Sequence, residues 1–194
     1  RKQFNLPSWI GPSNEGFIFP DTYNLPLKPN AVNVLKLPIN QFTTTLDDLA
    51  FEDRAKALGY KPYDVLIMAS IIEKETGYES DRPIVSAVMI NRLRINMRLQ
   101  TDPTVIYGLG KAYDGSLSRA DLMRDTPFNT YTRQGLPPTP IAMPSEAALA
   151  AAASPGDSKA LYFVARNDGT GASEFSETLE AHNRAVQRFI LKKP

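Results

Sequence analysis

The sequence predicts an α+β fold, in which clustered helices are joined by one small antiparallel hairpin. Helical spacing of apolar residues, bounded by capping residues and prolines, recurs in several segments between residues 46 and 153. A short apolar run over 161–164 precedes an Asn167-Asp168-Gly169 turn and a second strand near 173–176, a pattern typical of a hairpin. Clustered helices with a single hairpin are typical of the α+β class.

Capping residues and prolines set the expected helix boundaries. A helix is expected over 46–58, with Thr45 as its N-cap and Gly59 after its last turn. Pro62 suits the first position of a second helix over 62–76. Further helices are expected over 81–95, 104–107, a short stretch after Ser118, 147–153 behind a Ser145 cap, and 177–191.

Prolines divide the rest of the chain. Residues 1–45 are expected to be an extended segment with turns, because six prolines and several asparagines interrupt any period there. Five prolines within 127–144 predict an ordered loop. The expected plan is one catalytic domain over 1–194, with the helical core, hairpin and closing helix over 46–194.

The composition excludes several kinds of chemistry. The 194 residues include 22 Lys and Arg, 21 Asp and Glu, one His and no Cys. Disulfides, thiolate catalysis and His-rich metal sites are therefore excluded, and no metal or cofactor is expected. A net charge of +1 offers no electrostatic case for nucleic acid or an anionic membrane surface. Any catalysis by this chain is therefore expected to use carboxylates, hydroxyls and amides.

The start of the chain suggests a processed or excised piece. The first residue is Arg1, no signal-peptide pattern follows it, and the best apolar run is only eight residues long, over 65–72. A spanning helix needs about 20 apolar residues. We therefore expect any membrane anchor to lie upstream of this chain.

Two glutamates near the end of the 62–76 helix are candidate acids. At about 100° per residue, Glu73 lies about 80° from Val65, at the edge of the apolar stripe, and Glu75 lies about 200° around from Glu73. The two carboxylates therefore do not face each other. A carboxyl group at the margin of an apolar face is suited to a raised pKa. Spacing alone favours a solvated glutamate for Glu73.

Four further polar residues have both structural and functional interpretations. Asn91 lies on an apolar helix face, where pinning a neighbouring loop is favoured over binding a ligand. Asp102 could simply cap a short helix, which would not explain Gln100 beside it. His182 lies on the apolar face of the closing helix, where a core role is favoured over catalysis. No G-x-S-x-G, Walker or G-x-G-x-x-G motif occurs.

Several longer motifs appear in one order along the chain. They are E-G-F-I-F-P-D-T-Y at 15–23, A-S-I-I-E-K-E-T at 69–76, N-R-L at 91–93, M-R-L-Q-T-D-P-T-V-I-Y-G at 97–108, N-T-Y at 129–131, G-L-P-P at 135–138 and H-N at 182–183. Together they resemble the YceG-like family of endolytic murein transglycosylases. The resemblance covers residues 15–185.

The resemblance implies a lyase that cuts the β-1,4 bond between N-acetylmuramic acid and N-acetylglucosamine within peptidoglycan strands and leaves 1,6-anhydro ends. The first glutamate of the family's E-K-E-T motif is the acid/base, which implies Glu73. One carboxyl group suffices, because the sugar's own 6-hydroxyl is the nucleophile. The expected substrate-binding and supporting residues are Gln100, Thr101, Asp102, Asn129, Tyr131, Glu75 and Asn91.

The resemblance also implies a place in the cell. Family members are tethered by an N-terminal helix to the bacterial cytoplasmic membrane, with the catalytic part outside, beside the penicillin-binding synthases, where they set glycan length. The sequence departs from the family pattern where a His normally precedes the hairpin Phe, since Ser173 and Glu174 precede Phe175. Two other functions stay open: a muramidase using Asp102 or Glu79 as a second carboxylate, and a non-catalytic glycan-binding scaffold.

Overall fold

The structure is a computed structural model that describes residue 4 and residues 6–11, 15–25 and 27–191. Within these ranges the chain forms eight α-helices and one two-stranded antiparallel sheet. This architecture confirms the predicted α+β fold. The helices are α1 (Ala31–Asp48), α2 (Phe51–Ala57), α3 (Pro62–Glu75), α4 (Arg82–Arg94), α5 (Asp102–Leu109), α6 (Arg119–Met123), α7 (Glu146–Ala153) and α8 (Leu179–Val186), and the strands are β1 (Tyr162–Ala165) and β2 (Ser173–Ser176).

Helix α3 is the centre of the core. Every residue over 65–72 is buried, because α3 is surrounded by α2, α4, α5 and α7. A helix that is apolar on all sides is stable only in such a position. Helix α7 is almost entirely alanine, and these small side chains allow it to pack closely against α3. The last turn of α3 leaves the core and carries Glu73 and Glu75 on opposite sides.

The expectation of an extended segment over 1–45 is wrong from residue 31 onward. Helix α1 begins at Ala31, and the Asn30 side chain caps it by accepting a hydrogen bond from the Asn33 N–H at 2.9 Å. Pro38 lies inside this helix and is buried. A proline in a helix interior removes one backbone hydrogen bond, and burial of the ring in the core offsets that loss.

The predicted helix over 46–58 is divided in the structure. Thr45 lies inside α1 and does not cap a new helix, α1 ends at Asp48, and Phe51 begins α2. The chain turns at Ala50, whose φ of 46° is in the left-handed region. Phe51 is 1% exposed, and burial of the Phe51 ring stabilises this turn.

The remaining predicted elements are confirmed within a few residues. Helices α3 and α4 each have a proline in the first turn, Ser118 caps α6, Ser145 caps α7, and residues 127–144 contain no helix or strand. In the hairpin, Tyr162 pairs with Ser176 and Ala165 with Ser173. The predicted closing helix is α8, and its continuation over Gln187–Leu191 is π-helical.

The proline-rich segment over 127–144 is attached to the core helix. The Ser70 hydroxyl of α3 donates to the carbonyl of Ile67 at 2.7 Å and accepts from the N–H of Ile141 at 3.0 Å. Both Ser70 and Ile141 are buried, so these bonds satisfy polar groups that water does not reach. Across the ranges described, no helix has the length and apolar character needed to cross a membrane.

Candidate active site

A pocket of about 360 Å³ opens at the end of α3. Its wall is built by the end of α3, by α4, by the turn before α5, by the proline-rich segment, by β1 and by the start of α8. We call it the Glu75 pocket. Its lining residues are Glu75, Arg92, Leu99, Gln100, Asp102, Tyr131, Tyr162, Phe163, Leu179 and His182.

Glu75 has the chemistry of an acid/base at neutral pH. Burial, and secondly the negative charge of Asp102, raise the pKa of the Glu75 carboxyl group to about 7, while the positive charge of Arg92 opposes the shift. Glu75 is also the last residue of α3, and the unpaired carbonyl groups at a helix C-terminus disfavour a negative charge. A carboxyl group with this pKa is present in both protonation states at neutral pH and can both donate and accept a proton.

The raised pKa predicts a pH-dependent stability. Glu75 titrates near 4.5 in the unfolded chain and near 7 in the folded one, so its stabilising contribution is complete below pH 4.5 and lost as pH rises through about 7. The always-neutral variant Glu75→Gln should therefore gain about 3 kcal/mol of stability relative to wild type between pH 4 and pH 8. Urea denaturation of both proteins at the two pH values measures this change. Parallel pH profiles would contradict the raised pKa.

Arg92 joins the segments that form the pocket wall. Its Nε donates to the carbonyl of Leu161 at 2.6 Å, and its Nη1 donates to the carbonyls of Leu99 at 2.6 Å and Arg98 at 3.4 Å. The guanidinium carbon lies 5.4 Å from the centre of the Tyr162 ring. Arg92 is only 7% exposed, and burial lowers its pKa. The side chain thus places a positive charge in the wall while fixing α4 to the residue that precedes β1.

Asp102 and Tyr131 form a hydrogen-bonded pair in the pocket. The Tyr131 hydroxyl donates to Oδ1 of Asp102 at 2.6 Å. Burial, and then this bond, raise the pKa of Tyr131, so the hydroxyl keeps its proton. Asp102 is the first residue of α5, and Thr101 is the N-cap position without a side-chain cap bond. The interpretation of Asp102 as a helix cap is therefore wrong, because its carboxylate accepts from Tyr131.

Gln100 is held in an unusual backbone conformation beside the pair. Its φ is 51°, which is in the left-handed region, and a residue other than glycine adopts this only when its surroundings impose it. Its N–H donates to the carbonyl of Thr130 at 3.2 Å, and the next N–H, of Thr101, donates to Oγ1 of Thr130 at 3.0 Å. The Gln100 side chain is exposed and borders the pocket.

Buried hydroxyl groups lock this turn in place. Oγ1 of Thr104 donates to the carbonyl of Thr101 at 2.7 Å and lies 2.8 Å from Oγ1 of Thr130. All three threonines are buried. The Thr101 hydroxyl is therefore hydrogen-bonded within the protein, and its assignment to substrate binding stays a prediction.

Glu73 lies on the other side of α3 and is not among the lining residues of the Glu75 pocket. Its Oε2 accepts two hydrogen bonds from Ser145, from the N–H at 2.9 Å and from the hydroxyl at 2.6 Å. Ser145 is the N-cap of α7, where a helix dipole favours a negative charge. The structure thus gives Glu73 a link between two core helices, and it brings Glu75 to the pocket instead.

The link between α3 and α7 predicts a measurable loss of stability. The variant Ser145→Ala removes the cap bond from the Ala148 N–H and the hydroxyl donor to Glu73, while the backbone N–H of residue 145 still donates to Glu73. We expect a loss of about 2 kcal/mol. A matched control is Thr178→Ala, which removes a cap from α8 without a carboxylate partner. Urea denaturation compares the two, and an equal loss in both would show that the hydroxyl bond from Ser145 to Glu73 contributes nothing to stability.

Two predicted amides also have structural partners. Nδ2 of Asn91 donates to the carbonyls of Ser158 at 2.8 Å and Ala160 at 3.1 Å, which pins the chain before β1 as the favoured interpretation expected. Nδ2 of Asn129 donates most closely to the carbonyl of Arg124 at 2.7 Å, and its Oδ1 accepts from the Tyr131 N–H at 2.8 Å. Neither lines the Glu75 pocket. Both side-chain amides hold backbone groups in this structure, and a substrate contact by either residue stays a prediction.

The predicted residues therefore fall into two groups. Glu75, Gln100, Asp102 and Tyr131 meet in the pocket, whereas the other four do not line it. The sequence interpretation missed Arg92, Tyr162 and Phe163 as lining residues. It favoured a core role for His182, which lines the pocket. The sequence did contain a signal for Arg92. Val85, Val88 and Arg92 are at positions i, i+3 and i+7, so they lie on the same face of a helix. A charged residue on a buried stripe must find partners.

A metal-binding cluster does not occur among the residues whose placement is described, since no three His, Asp or Glu side chains converge there. The fold and the pocket thus define the class of protein: an α+β domain with one glutamate that titrates near neutral pH in a polar pocket with an aromatic wall. The model of the YceG-like family matches residues 2–188. The chain belongs to the YceG-like family.

Known relatives agree with this membership. An endolytic murein transglycosylase of Bacillus subtilis is 36% identical over 180 residues, which are 92% of this chain and 49% of that protein. One of Streptococcus pneumoniae is 29% identical over 184 residues, or 92% and 33% of the two chains. A crystal structure of a YceG-like protein from Listeria monocytogenes has a TM-score of 0.77 and 37% identity, with 87% of this chain and 54% of that one covered. The chain spans half or less of these curated relatives.

Proposed function

We propose that this chain is the glycan-cleaving domain of an endolytic murein lytic transglycosylase, with Glu75 as its acid/base. The observation that carries the proposal is a carboxyl group with a pKa of about 7 in a polar pocket. The names of the relatives from Bacillus subtilis and Streptococcus pneumoniae support the substrate class. The family resemblance implied Glu73 for this role, and the position of Glu73 on the α7 cap favours Glu75 instead.

In the proposed reaction, protonated Glu75 donates its proton to the glycosidic O4 as the bond from C1 of N-acetylmuramic acid to O4 breaks. The resulting carboxylate then accepts the proton of the 6-hydroxyl of the same sugar, whose oxygen bonds to C1. The product is a 1,6-anhydro end, and no water is consumed. Because one group gives and then takes a proton, a pKa near neutrality serves both steps. The reaction uses no metal or cofactor.

The other polar groups of the pocket suit substrate binding and charge stabilisation. The negative charge of Asp102 raises the pKa of Glu75, and it would also stabilise positive charge that develops at C1. Gln100 offers an exposed amide that can bind acetamido and hydroxyl groups. The Tyr131 hydroxyl orients Asp102 by donating to it.

The proposed cellular location follows from the proposed substrate. Peptidoglycan lies in the bacterial cell envelope, so we propose that this domain acts on the outer face of the cytoplasmic membrane, held by an N-terminal helix. Cutting within strands during synthesis would limit glycan strand length, which places penicillin-binding synthases among the proposed partners. Co-purification of the full-length protein with such a synthase tests the partnership separately from the chemistry.

Product analysis tests the proposed reaction. Purified peptidoglycan strands are digested with the wild-type chain, and the new ends are identified by mass spectrometry. Anhydro ends are expected, at internal positions of the strands. Ends that carry the added mass of water would contradict the lytic reaction, and binding without any cleavage would support the scaffold alternative.

A hydrolytic muramidase is the second candidate, and one observation favours it. Asp102 lines the same pocket as Glu75, and glycosidases use two carboxylates across the scissile bond. Glu79, the other candidate partner, does not line the pocket. In the muramidase reaction a water replaces the 6-hydroxyl, so the two reactions differ by one water in the product mass.

A further inference from the structure

His182 forms part of the wall of the Glu75 pocket, although the proposed reaction does not use it. Its ring stacks on Tyr162 with centroids 5.3 Å apart and an angle of 22° between the planes. The Tyr162 ring also contacts the Arg92 guanidinium, at 5.4 Å. The imidazole is therefore held in a layered arrangement that fixes its orientation at the pocket surface.

One nitrogen of this imidazole has no partner in the protein. Nδ1 of His182 is buried and has no hydrogen bond to any residue that the structure describes. A buried N–H without an acceptor is costly, and so is a buried lone pair without a donor, but Nε2 is not among the buried unpaired atoms. A proton on Nε2 is thus on the nitrogen that can be paired with water or a ligand. We therefore expect the proton on Nε2. The Nε2 edge is then the part of the ring that meets the pocket, since His182 is one of its lining residues.

The surroundings keep this imidazole neutral. Burial, and secondly the positive charge of Arg92, lower the pKa of His182 below its ordinary value of 6.5. A neutral imidazole carries a single N–H. His182 thus differs from its charged neighbour, Arg92, whose Nε and Nη1 are already bonded to the carbonyls of Leu161 and Leu99.

We infer that His182 is a substrate-binding residue whose Nε2–H donates a hydrogen bond to the acetamido carbonyl of a bound N-acetylhexosamine. An amide carbonyl is the strongest neutral acceptor on such a sugar, and a rigid neutral donor in a partly dry pocket selects for it. The Tyr162 stack positions the donor. The inference rests on the proposed function, because it names the part of the glycan that this pocket recognises.

Binding measurements on an inactive background test the inference. The Glu75→Gln protein is titrated with tetra-N-acetylchitotetraose by calorimetry, alone and combined with His182→Phe or His182→Gln. Phe keeps a ring that can stack on Tyr162 and removes the donor, so the dissociation constant should rise about tenfold. Gln keeps an N–H donor and should retain most of the affinity. A phenylalanine variant that binds as tightly as its parent would overturn the inference.

Cellotetraose identifies the acceptor. It has the same β-1,4 linkage with a hydroxyl in place of each acetamido group, so the His182→Phe substitution should not change its affinity. An equal tenfold loss for both sugars would show that the acceptor is not the acetamido carbonyl. Nitrogen-15 NMR of the free protein adds a test without ligand, since Nε2–H and Nδ1–H tautomers have distinct shifts. An Nδ1–H tautomer would overturn the inference.

These outcomes are separable from those of the proposed function. If His182→Phe loses sugar binding but Glu75→Gln cleaves as well as wild type, His182 keeps its proposed binding role and Glu75 is not the acid/base. If Glu75→Gln loses cleavage but His182→Phe binds the sugar unchanged, Glu75 keeps its proposed role as acid/base and His182 is not a binding residue. Thermal melting of each variant checks that a change in affinity does not come from unfolding.

Discussion

The variant Glu75→Gln is expected to lower the rate of glycan strand cleavage by about 10²–10⁴-fold, the usual contribution of a general acid/base. Gln has nearly the same shape as Glu but cannot donate a proton to O4 or accept one from the 6-hydroxyl. Because Glu75 is a pocket residue with a pKa of about 7, the loss should appear in kcat. Release of soluble fragments from labelled peptidoglycan measures it.

Glu73→Gln is the matched control, since the two glutamates lie two residues apart on the same helix. The amide oxygen of Gln can still accept the two bonds from Ser145, so cleavage should change by no more than a few-fold. The two variants therefore separate the carboxylates by function. Strong loss in Glu73→Gln with nearly full activity in Glu75→Gln would reverse the assignment.

A pH profile gives an independent check on the same group. In wild type, cleavage should fall as pH rises above about 7, because the protonated form of Glu75 becomes scarce. The residual activity of Glu75→Gln should lack this decline. A wild-type rate that stays constant to pH 9 would point to an acid other than Glu75.

The helix that carries both glutamates could be predicted from the sequence, but the choice between them could not. Helical angles correctly separated Glu73 and Glu75 onto different sides of α3. The apolar stripe did not identify the pocket side, because α3 is buried all around over 65–72. The side is decided by the packing of α7, whose N-cap Ser145 binds Glu73, and such long-range packing is not encoded in the periodicity of one segment.

A similar limit applies to the polar residues of the site. The family resemblance implied substrate contact for Gln100, Tyr131 and Asn129 alike. Gln100 and Tyr131 line the Glu75 pocket, whereas the Asn129 amide holds the backbone of Tyr131 and Arg124. Amides suit both substrate and backbone carbonyls, so type alone does not distinguish them. Helix α1 was missed because Pro38 suggested a break, and burial of that ring overrode the local preference.

Arg92 is expected to have the largest effect on stability of any single residue in the pocket. The variant Arg92→Met keeps an apolar stem but leaves the carbonyls of Leu161 and Leu99, bonded at 2.6 Å in the native protein, without their donor. Losing a buried, charged donor of this kind should cost about 3 kcal/mol or more. Urea denaturation at pH 7 measures the loss.

The same variant should also move the pH dependence of cleavage. The positive charge of Arg92 lowers the pKa of Glu75, opposing burial and Asp102. Its removal should raise that pKa further, so the decline in rate should shift to higher pH in the folded protein. A purely structural role for Arg92 would lower the amount of folded enzyme without moving the midpoint of the profile.

Arg94→Met is the control, because Arg94 lies on the same helix with an exposed side chain. Its replacement removes the same charge from α4 while the hydrogen bonds of Arg92 remain, so stability should change by no more than about 0.5 kcal/mol. The pH midpoint should stay near that of wild type, because Arg94 does not line the Glu75 pocket. Equal effects of the two variants would show that the net charge of α4, and not the buried guanidinium, controls both stability and the protonation of Glu75.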